Sequence, residues 1–342
     1  MNTDTLPGAR KLALVAAVFV LAPIPVAGSG YYVGVLTRVL LFALFALALN
    51  IVFGHNDQLF LFMGGLGGIG AYTTALIVDT VGVTAWLALP VAALLCGGIA
   101  LSVSWISARR RFTVILISIL TLNLQLVFSE TFIGARDLTG GSTGFPYELF
   151  SVSGVAGAVG IPEEVALYYL ILAFLMGGMV LYVWLINSKY GMAFEAIRED
   201  ETAAESIGID VVRYKTIAGF VAGVIIGIAG TLLAREATYI TPSIFTFLAV
   251  DVIALVVLIV GGIRQTYGPI VGAVVVEAIE AGLSNYAADW RAAIFGALLI
   301  VLFLYFRSGV IVTVQNLLDE YNVLSGGGGG GSGKTPTETD AD

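Results

Sequence analysis

The chain has 342 residues, of which 58% are hydrophobic and 12% are charged, and its formal net charge at pH 7 is −8. Because soluble domains carry about 25% charged residues, this composition argues against a soluble domain and favours one polytopic membrane domain over residues 1–324. The negative charge argues against nucleic-acid binding, and one cysteine and one histidine exclude a disulfide within the chain or a metal site built from these residues.

The amino-terminal segment allows two interpretations. Arg10 and Lys11 precede an apolar run that ends near Ala22 and is followed by small residues. That order is typical of a secretory signal peptide that is cleaved. We expect an uncleaved first span, because the spans that follow need its orientation.

Apolar stretches long enough to cross about 30 Å of hydrocarbon recur along the chain. They predict an all-α, polytopic helical membrane protein with about ten transmembrane helices. The approximate spans are 11–28, 34–53, 59–78, 83–106, 112–133, 165–186, 214–234, 245–263, 268–284 and 291–308.

Lysine and arginine placement predicts the orientation of these spans. With the amino terminus inside, ten spans place both termini and the main basic markers at the cytoplasmic face. The markers are Arg109–Arg111, Arg198, Arg213, Arg264 and Arg307. The loops 134–164 and 235–244 then face outward.

Residues 187–215 interrupt the apolar pattern with a dense mixture of charges. Phe194, Ile197, Ala204 and Ile207 recur at helical spacing and predict one amphipathic helix. The alternative is a solvated loop that only joins two spans. The charge, the apolar stripe and an A-A-x-x-x-G pattern favour a docking surface.

Residues 325–342 predict a disordered, glycine-rich, acidic cytoplasmic tail. The tail contains a literal G-x-x-x-x-G-K-T pattern from Gly328 to Thr335. A phosphate-binding loop needs a strand before it and a helix after it. Here glycines precede the pattern and Pro336 follows, so we expect no nucleotide site.

Glycines cluster at two places within the spans. Gly219, Gly223 and Gly227 recur every four residues and predict close helix packing. The segment 64–70 is denser and allows two interpretations. It is either a packing face or a broken helix that lines a pathway, because irregular backbone in a membrane is tolerated beside protein or water.

Ionisable side chains within spans usually face a bundle interior or a cavity. Asp251, Glu277 and Glu280 are the deep ones, and they allow interhelical hydrogen bonding or proton coupling. The candidate pathway residues are Asn50, Gly64, Gly65, Gly67, Gly68, Asn123, Asp251 and Glu277.

Five stretches together resemble the LivM-type permease subunit of branched-chain amino acid ABC transporters, over about residues 30–310. The stretches are NIVFGHNDQLFLFMGGLGGIGAYTTALI (Asn50–Ile77), DLTGGSTG (Asp137–Gly144), GMAFEAIREDETAAESIGIDVVRYK (Gly191–Lys215), AGFVAGVIIGIAGTLLA (Ala218–Ala234) and GGIRQTYGPIVGA (Gly261–Ala273). The resemblance implies a LivH-type permease partner, two ABC ATPase subunits, an extracytoplasmic solute-binding protein and surrounding membrane lipid. It implies no catalytic residues, no metal and no cofactor in this chain, with ATP and Mg²⁺ held by the partner ATPases.

The resemblance also implies that residues 187–215, which we call the coupling segment, dock on the ATPase. The coupling residues are Arg198, Glu199, Asp200, Glu201, Ala203, Ala204 and Gly208. Thr202 stands where the general motif has glutamate, which leaves open the acid that meets the ATPase.

The stretch Asp57-Gln58-Leu59 followed by FLFMGG also departs from the usual serine- and histidine-containing run. Urea or short amides therefore remain alternative substrates. A secondary transporter driven by ions through Asp251, Glu277 or Glu280 is a further alternative. A membrane-embedded enzyme is disfavoured, because no nucleophile–base pair or metal-binding set can be assembled.

Overall fold

The structure, a computed structural model, describes residues 6–26, 28–286 and 296–297 and is built almost entirely from helices. The helices are α1 (Leu6–Leu21), α2 (Gly30–Leu49), α3 (Met63–Val81), α4 (Ala85–Arg109), α5 (Val114–Gly134), α6 (Arg136–Thr139), α7 (Ser153–Val159), α8 (Glu163–Ile186), α9 (Lys189–Glu199), α10 (Glu201–Ser206), α11 (Val211–Ala237), α12 (Val252–Gly261) and α13 (Gly268–Tyr286). The all-α polytopic prediction is confirmed.

Short elements extend or connect these helices. They are the π-helical turns Asn50–Gly54 and Phe247–Asp251, the 3₁₀ turns Ile24–Val26 and Pro242–Phe245, and the antiparallel strands β1 (Phe145–Pro146) and β2 (Tyr239–Ile240).

Nine of the ten predicted spans correspond to a long or apolar helix in the described part of the chain. Five of these helices are long and apolar enough to cross a membrane, and they span Gly30–Gly54, Ala85–Arg109, Val114–Gly134, Glu163–Ile186 and Val211–Ala237. The tenth predicted span, 291–308, and the tail 325–342 lie outside the described residues, apart from residues 296–297.

Helix α11 is the centre of the bundle and packs against α3 and α4. Its predicted small-residue face is confirmed. Gly223 faces the Ala100 side chain and the Cys96 backbone of α4, and Gly230 lies against the backbone of Gly67 in α3. Glycines allow these backbones to approach closely, because no side chain separates them.

Two predicted spans have wrong boundaries, because the chain enters the bundle interior without helical structure at two places. Predicted span 59–78 begins as helix only at Met63, after a non-helical stretch over residues 57–62. Predicted span 245–263 begins with the π-helical turn at Phe247, and the stretch 238–246 before it contains only β2 and a 3₁₀ turn. The broken-helix alternative for the segment 64–70 is wrong, because these residues are helical in α3, and the irregular stretches are 57–62 and 238–246 instead.

The prediction of one helix through the coupling segment is wrong. The backbone of Asp200 is extended, with φ −159° and ψ 113°, and it separates α9 from α10. The Asp200 carboxylate accepts hydrogen bonds from the backbone N–H groups of Thr202 (2.7 Å) and Ala203 (3.0 Å). Aspartate is a favoured residue at a helix amino terminus for this reason, so it starts a new helix here.

The break also divides the predicted apolar stripe. Phe194 and Ile197 in α9 and Ala204 in α10 are buried, whereas Ile207, after α10, has 74% of its surface exposed. Ile197 and Ala204 form a small cluster with Val211 at the start of α11. This cluster holds the two short helices against the end of the membrane bundle.

The bundle has two distinct ends. The α9 end contains residues 55–58, 109–112, 187–215 and 262–267, and the ion pair between Arg111 and Glu205 (2.8 Å) joins two of these ranges. The opposite β1 end contains residues 135–162 and 235–241. There β1 pairs with β2, and Arg235 of α11 forms an ion pair with Glu163 of α8 (2.8 Å).

Candidate functional site

A polar contact joins the two irregular stretches in the interior of the bundle. The Asp251 carboxylate accepts hydrogen bonds from the backbone N–H groups of Met63 (2.6 Å) and Gly64 (3.1 Å). These N–H groups belong to the first turn of α3, where a helix has no internal acceptors for them and carries partial positive charge. Asp251 therefore satisfies a helix end that begins away from water.

Gln125 of α5 completes this contact. Its side-chain oxygen accepts from the N–H of Gly65 (2.5 Å), and its side-chain nitrogen donates to the carbonyl of Phe245 (2.7 Å). One amide thus links α3 to the 238–246 stretch. We call Met63–Gly65, Gln125, Phe245 and Asp251 the polar junction.

The polar junction lies deep in the bundle, because Gln125 is near the middle of α5. The stretch 57–62 also lies against α5, because the Leu61 N–H donates a hydrogen bond to the Thr121 hydroxyl (3.0 Å). Backbone polar groups in a membrane interior must be satisfied by protein. The side chains of Thr121, Gln125 and Asp251 do this for both irregular stretches.

We expect Asp251→Asn to lower the free energy of unfolding by about 2 kcal/mol, because one charge-assisted hydrogen bond is lost. The asparagine oxygen can accept from one of the two N–H groups, and its NH₂ group then faces the other. The measurement is the thermal unfolding midpoint of the purified full chain in detergent. Asp79→Asn, an exposed carboxylate near the far end of α3, is the matched control, and an equal midpoint for both variants would contradict the assignment.

The seven predicted coupling residues lie together at the α9 end. Glu199, Asp200, Ala203 and Gly208 are exposed, whereas Ala204 is buried against Ile197. Arg198 and Glu201 are half-buried. The sequence pattern therefore predicted residues that lie close together, although they belong to two helices and not to one.

The coupling segment is tied to the stretch 57–62 through Lys215. Only 4% of the Lys215 side chain is exposed, and its ammonium group forms an ion pair with Glu201. The backbone carbonyl of the same residue accepts from the Gln58 side chain (3.2 Å). Two contacts at one residue thus connect α10 to the irregular stretch that leads into the polar junction.

A second network surrounds Asn50, in the π-helical turn after α2. Asn50 donates to the Tyr182 hydroxyl (3.1 Å) and accepts from the backbone N–H of Arg264 (2.9 Å). The Tyr182 hydroxyl also lies 2.9 Å from His55 Nε2. Burial, helped by the charges of Arg198 and Arg264, lowers the pKa of His55 to about 4. At pH 7 the ring is neutral, so its Nε2 atom can accept a hydrogen bond from the Tyr182 hydroxyl.

The predicted pathway residues do not form one group. Gly64, Gly65 and Asp251 meet in the polar junction, and Gly67 and Gly68 continue along α3. The other three lie apart: Asn50 is at the α9 end, Asn123 is on the exposed face of α5, and Glu277 is in a separate cavity described below.

Sequence reasoning did not assign Gln125, Phe245 or Lys215 to a site. Gln125 is a polar residue in an apolar span, and that signal marks it as a candidate. Phe245 contributes its backbone carbonyl. Lys215 contributes its backbone carbonyl and an ion pair with Glu201. In the described part of the chain, no group of three or more His, Cys, Asp or Glu residues is arranged to hold a metal ion.

Comparison with known proteins decides the family. Residues 31–303 match the family described as the branched-chain amino acid transport system / permease component. The chain belongs to this family. The resemblance to LivM-type permeases is thereby confirmed, and the chain is a multi-pass membrane permease.

Individual relatives agree with this assignment. The chain is 26% identical over 322 residues to the high-affinity branched-chain amino acid transport system permease protein LivM of Escherichia coli K12, covering 88% of this chain and 75% of the relative. A probable branched-chain amino acid transport permease protein LivH of Methanocaldococcus jannaschii is 24% identical over 260 residues, or 73% of this chain and 79% of that one. The Escherichia coli xylose transport system permease protein XylH is 28% identical over 148 residues, 42% of this chain and 36% of its own length. No solved structure matches the chain.

Proposed function

We propose that the protein is the membrane permease subunit of an ATP-driven importer of branched-chain amino acids delivered by a solute-binding protein. The observation that carries the proposal is the coupling segment, which presents apolar side chains outside the membrane bundle. Met192 of α9 and Ile207 after α10 are 69% and 74% exposed. A soluble partner with a matching groove would cover them, and an ATPase subunit is the partner that the family implies.

The coupling segment is suited to transmit movement because it is short, packed and tied to the bundle. The cluster of Ile197, Ala204 and Val211 holds α9 and α10 to α11. Two discrete arrangements of the partner ATPases would then move these helices as a body. ATP and Mg²⁺ belong to the ATPases in this proposal, and the permease contributes no hydrolytic residue.

The proposal assigns the α9 end to the cytoplasm and the β1 end to the outside. Arg109–Arg111, Arg198, Arg213 and Arg264 belong to the α9 end, and basic loops are retained on the cytoplasmic side of membrane proteins. The amino terminus is then cytoplasmic, and the ten spans predicted from the sequence put the carboxyl terminus there too. The solute-binding protein docks at the β1 end.

Helix α5 supplies the surface for a second permease of the LivH type. Little of α5 is buried within the described part of the chain, and Asn123 and Glu130 are exposed seven residues apart on one of its faces. Polar and ionisable side chains are costly against lipid and usually face protein or water. A partner permease against this face of α5 would remove them from lipid.

Reconstitution of the complete importer tests the proposal. Proteoliposomes containing this chain, the LivH-type permease, the ATPases and the binding protein should accumulate labelled leucine only when ATP is supplied. Uptake of urea or a short amide in place of leucine would assign the alternative substrate class. Uptake without ATP that an ionophore abolishes would overturn the proposal in favour of an ion-coupled transporter.

We expect Lys215→Met to reduce ATP-driven uptake about tenfold while raising the number of ATP molecules hydrolysed per leucine imported. The variant keeps a side chain of similar length but loses the ion pair between the buried Lys215 ammonium group and the half-exposed Glu201 carboxylate, which is a direct link from α10 to α11. Only the cluster of Ile197, Ala204 and Val211 would then link the two short helices to α11, so their movement would be transmitted to α11 less completely. Arg213→Met, an exposed basic residue two positions earlier in α11, is the control. An unchanged ATP-to-leucine ratio in Lys215→Met would contradict this role.

A further inference from the structure

Glu277 is a buried carboxylate that the contacts described so far do not use. It lies in α13, only 2% of its surface is exposed, and its Oε1 atom has no hydrogen-bond partner among the described residues. Burial of an ionisable group without a partner is costly. A side chain that keeps such an arrangement is a candidate for binding a ligand.

A cavity of about 260 Å³ adjoins Glu277 between α2, the end of α11 and α13. Its charged lining residues are Arg38, Glu236, Glu277 and Glu280, and the Tyr31 side chain also lines it. Arg38 Nε lies 3.7 Å from Glu236 Oε1, which is a loose ion pair. Three carboxylates thus face one guanidinium group, and the cavity has an excess of acceptors for a cation.

We propose that this cavity binds the primary ammonium group of a zwitterionic ligand, with Glu277 as its main acceptor and Arg38 as the partner for the ligand's carboxylate. An ammonium group donates up to three hydrogen bonds and can reach several separated acceptors. A guanidinium group suits a carboxylate because it can form two parallel hydrogen bonds with it. The inference rests on the proposed function, since an amino acid carries both of these groups.

A second cavity lies at the β1 end, next to this site. It has a volume of about 490 Å³ and shares Glu236 with the first cavity. Glu148, Glu163, Glu164 and Arg235 also line it. Together the two cavities carry six carboxylates and two guanidinium groups, so their net negative field raises the local concentration of ammonium groups.

An aminophospholipid headgroup has the same chemistry as an amino acid, because it also joins a primary ammonium group to an anion. The two sources are separated by the composition of the membrane. Nanodiscs that contain phosphatidylglycerol alone offer no lipid amine, whereas nanodiscs with phosphatidylethanolamine do.

The test measures labelled leucine binding to the permease–ATPase complex in both kinds of nanodisc, without the binding protein. Unlabelled 3-methylbutylamine, which lacks the carboxylate, and 4-methylpentanoate, which lacks the ammonium group, serve as competitors. We expect Glu277→Gln to weaken the binding of leucine and the amine at least tenfold and to leave the weak competition by the acid unchanged. Arg38→Gln should weaken leucine and the acid and spare the amine. This reciprocal pattern would not arise from a general loss of folding.

Asp79→Asn, at an exposed position outside both cavities, is the control and should bind leucine as the unaltered protein does. Leucine binding that survives Glu277→Gln, or equal losses for all three ligands in both variants, would overturn the site. Binding that disappears when phosphatidylethanolamine is present would assign the site to the lipid headgroup and overturn the substrate assignment. The proposed function is tested separately by ATP-driven uptake with the binding protein, so either proposal can fail while the other stands.

Discussion

Gly230→Ala should destabilise the protein by about 3 kcal/mol, near the upper end of the usual cost of overpacking a core. A Cβ atom at this position would collide with the backbone of Gly67, which cannot rotate away as the tip of a side chain can. Helices α3 and α11 would have to separate, and the contacts of α11 with α4 would be disturbed at the same time. The measurement is the unfolding midpoint of the purified full chain in detergent, together with the fraction that elutes as a single species.

Gly98→Ala is the matched control for this substitution. Gly98 lies within α4, and a Cβ atom there meets open space. Alanine is also the better helix former, so this variant should be as stable as the unaltered protein or slightly more so. Equal midpoints for Gly230→Ala and Gly98→Ala would show that the close backbone contact is not required.

Gly208→Pro should abolish ATP-driven uptake and the stimulation of ATP hydrolysis, while membrane insertion survives. Gly208 has φ +88° and follows α10, and its N–H donates to the Glu205 carbonyl (3.0 Å). Proline has φ near −65° and no N–H group, so it can adopt neither the conformation nor the hydrogen bond. The coupling surface would lose its shape where Ile207 is presented. Uptake and ATP hydrolysis are measured in the same proteoliposomes.

Gly208→Asn separates the backbone requirement from any requirement for a small residue. Asparagine is the side-chain-bearing residue that tolerates positive φ best, and it replaces glycine at many helix ends. No atom lies within 4 Å of a Cβ at this position, so the added side chain has room. This variant should retain most of the uptake. ATP-dependent uptake by Gly208→Pro at the normal rate would refute the coupling role.

The approximate place of the spans in the described part of the chain could be predicted, because a membrane-crossing helix needs a long apolar stretch that can be recognised from composition alone. Helix α8 illustrates this, since the predicted range 165–186 differs from Glu163–Ile186 by two residues at one end. The spacing of Gly219, Gly223 and Gly227 likewise predicted a packing face. The coupling segment was found because its charges are incompatible with lipid.

The irregular stretches could not be placed in the same way. Residues 59–62 are apolar enough to be predicted as part of a span, whereas residues 238–244 fall in a predicted outward-facing loop. Both stretches enter the bundle interior without helical structure because distant side chains satisfy their backbone polar groups. Asp251 is 188 residues from Met63, and Gln125 is 120 residues from Phe245. Local sequence carries no signal of contacts at such separations.

Sequence by itself determined that this chain is a helical membrane protein with a charged coupling segment, because the cost of placing polar groups in lipid acts on each stretch independently. Tertiary structure decided where α3 and α12 begin, which glycines meet, and how Lys215 joins the coupling segment to the bundle. The physical reason is that backbone groups without water need partners, and the partners here come from other helices. The site at Glu277 likewise depends on α2, α11 and α13 being brought together.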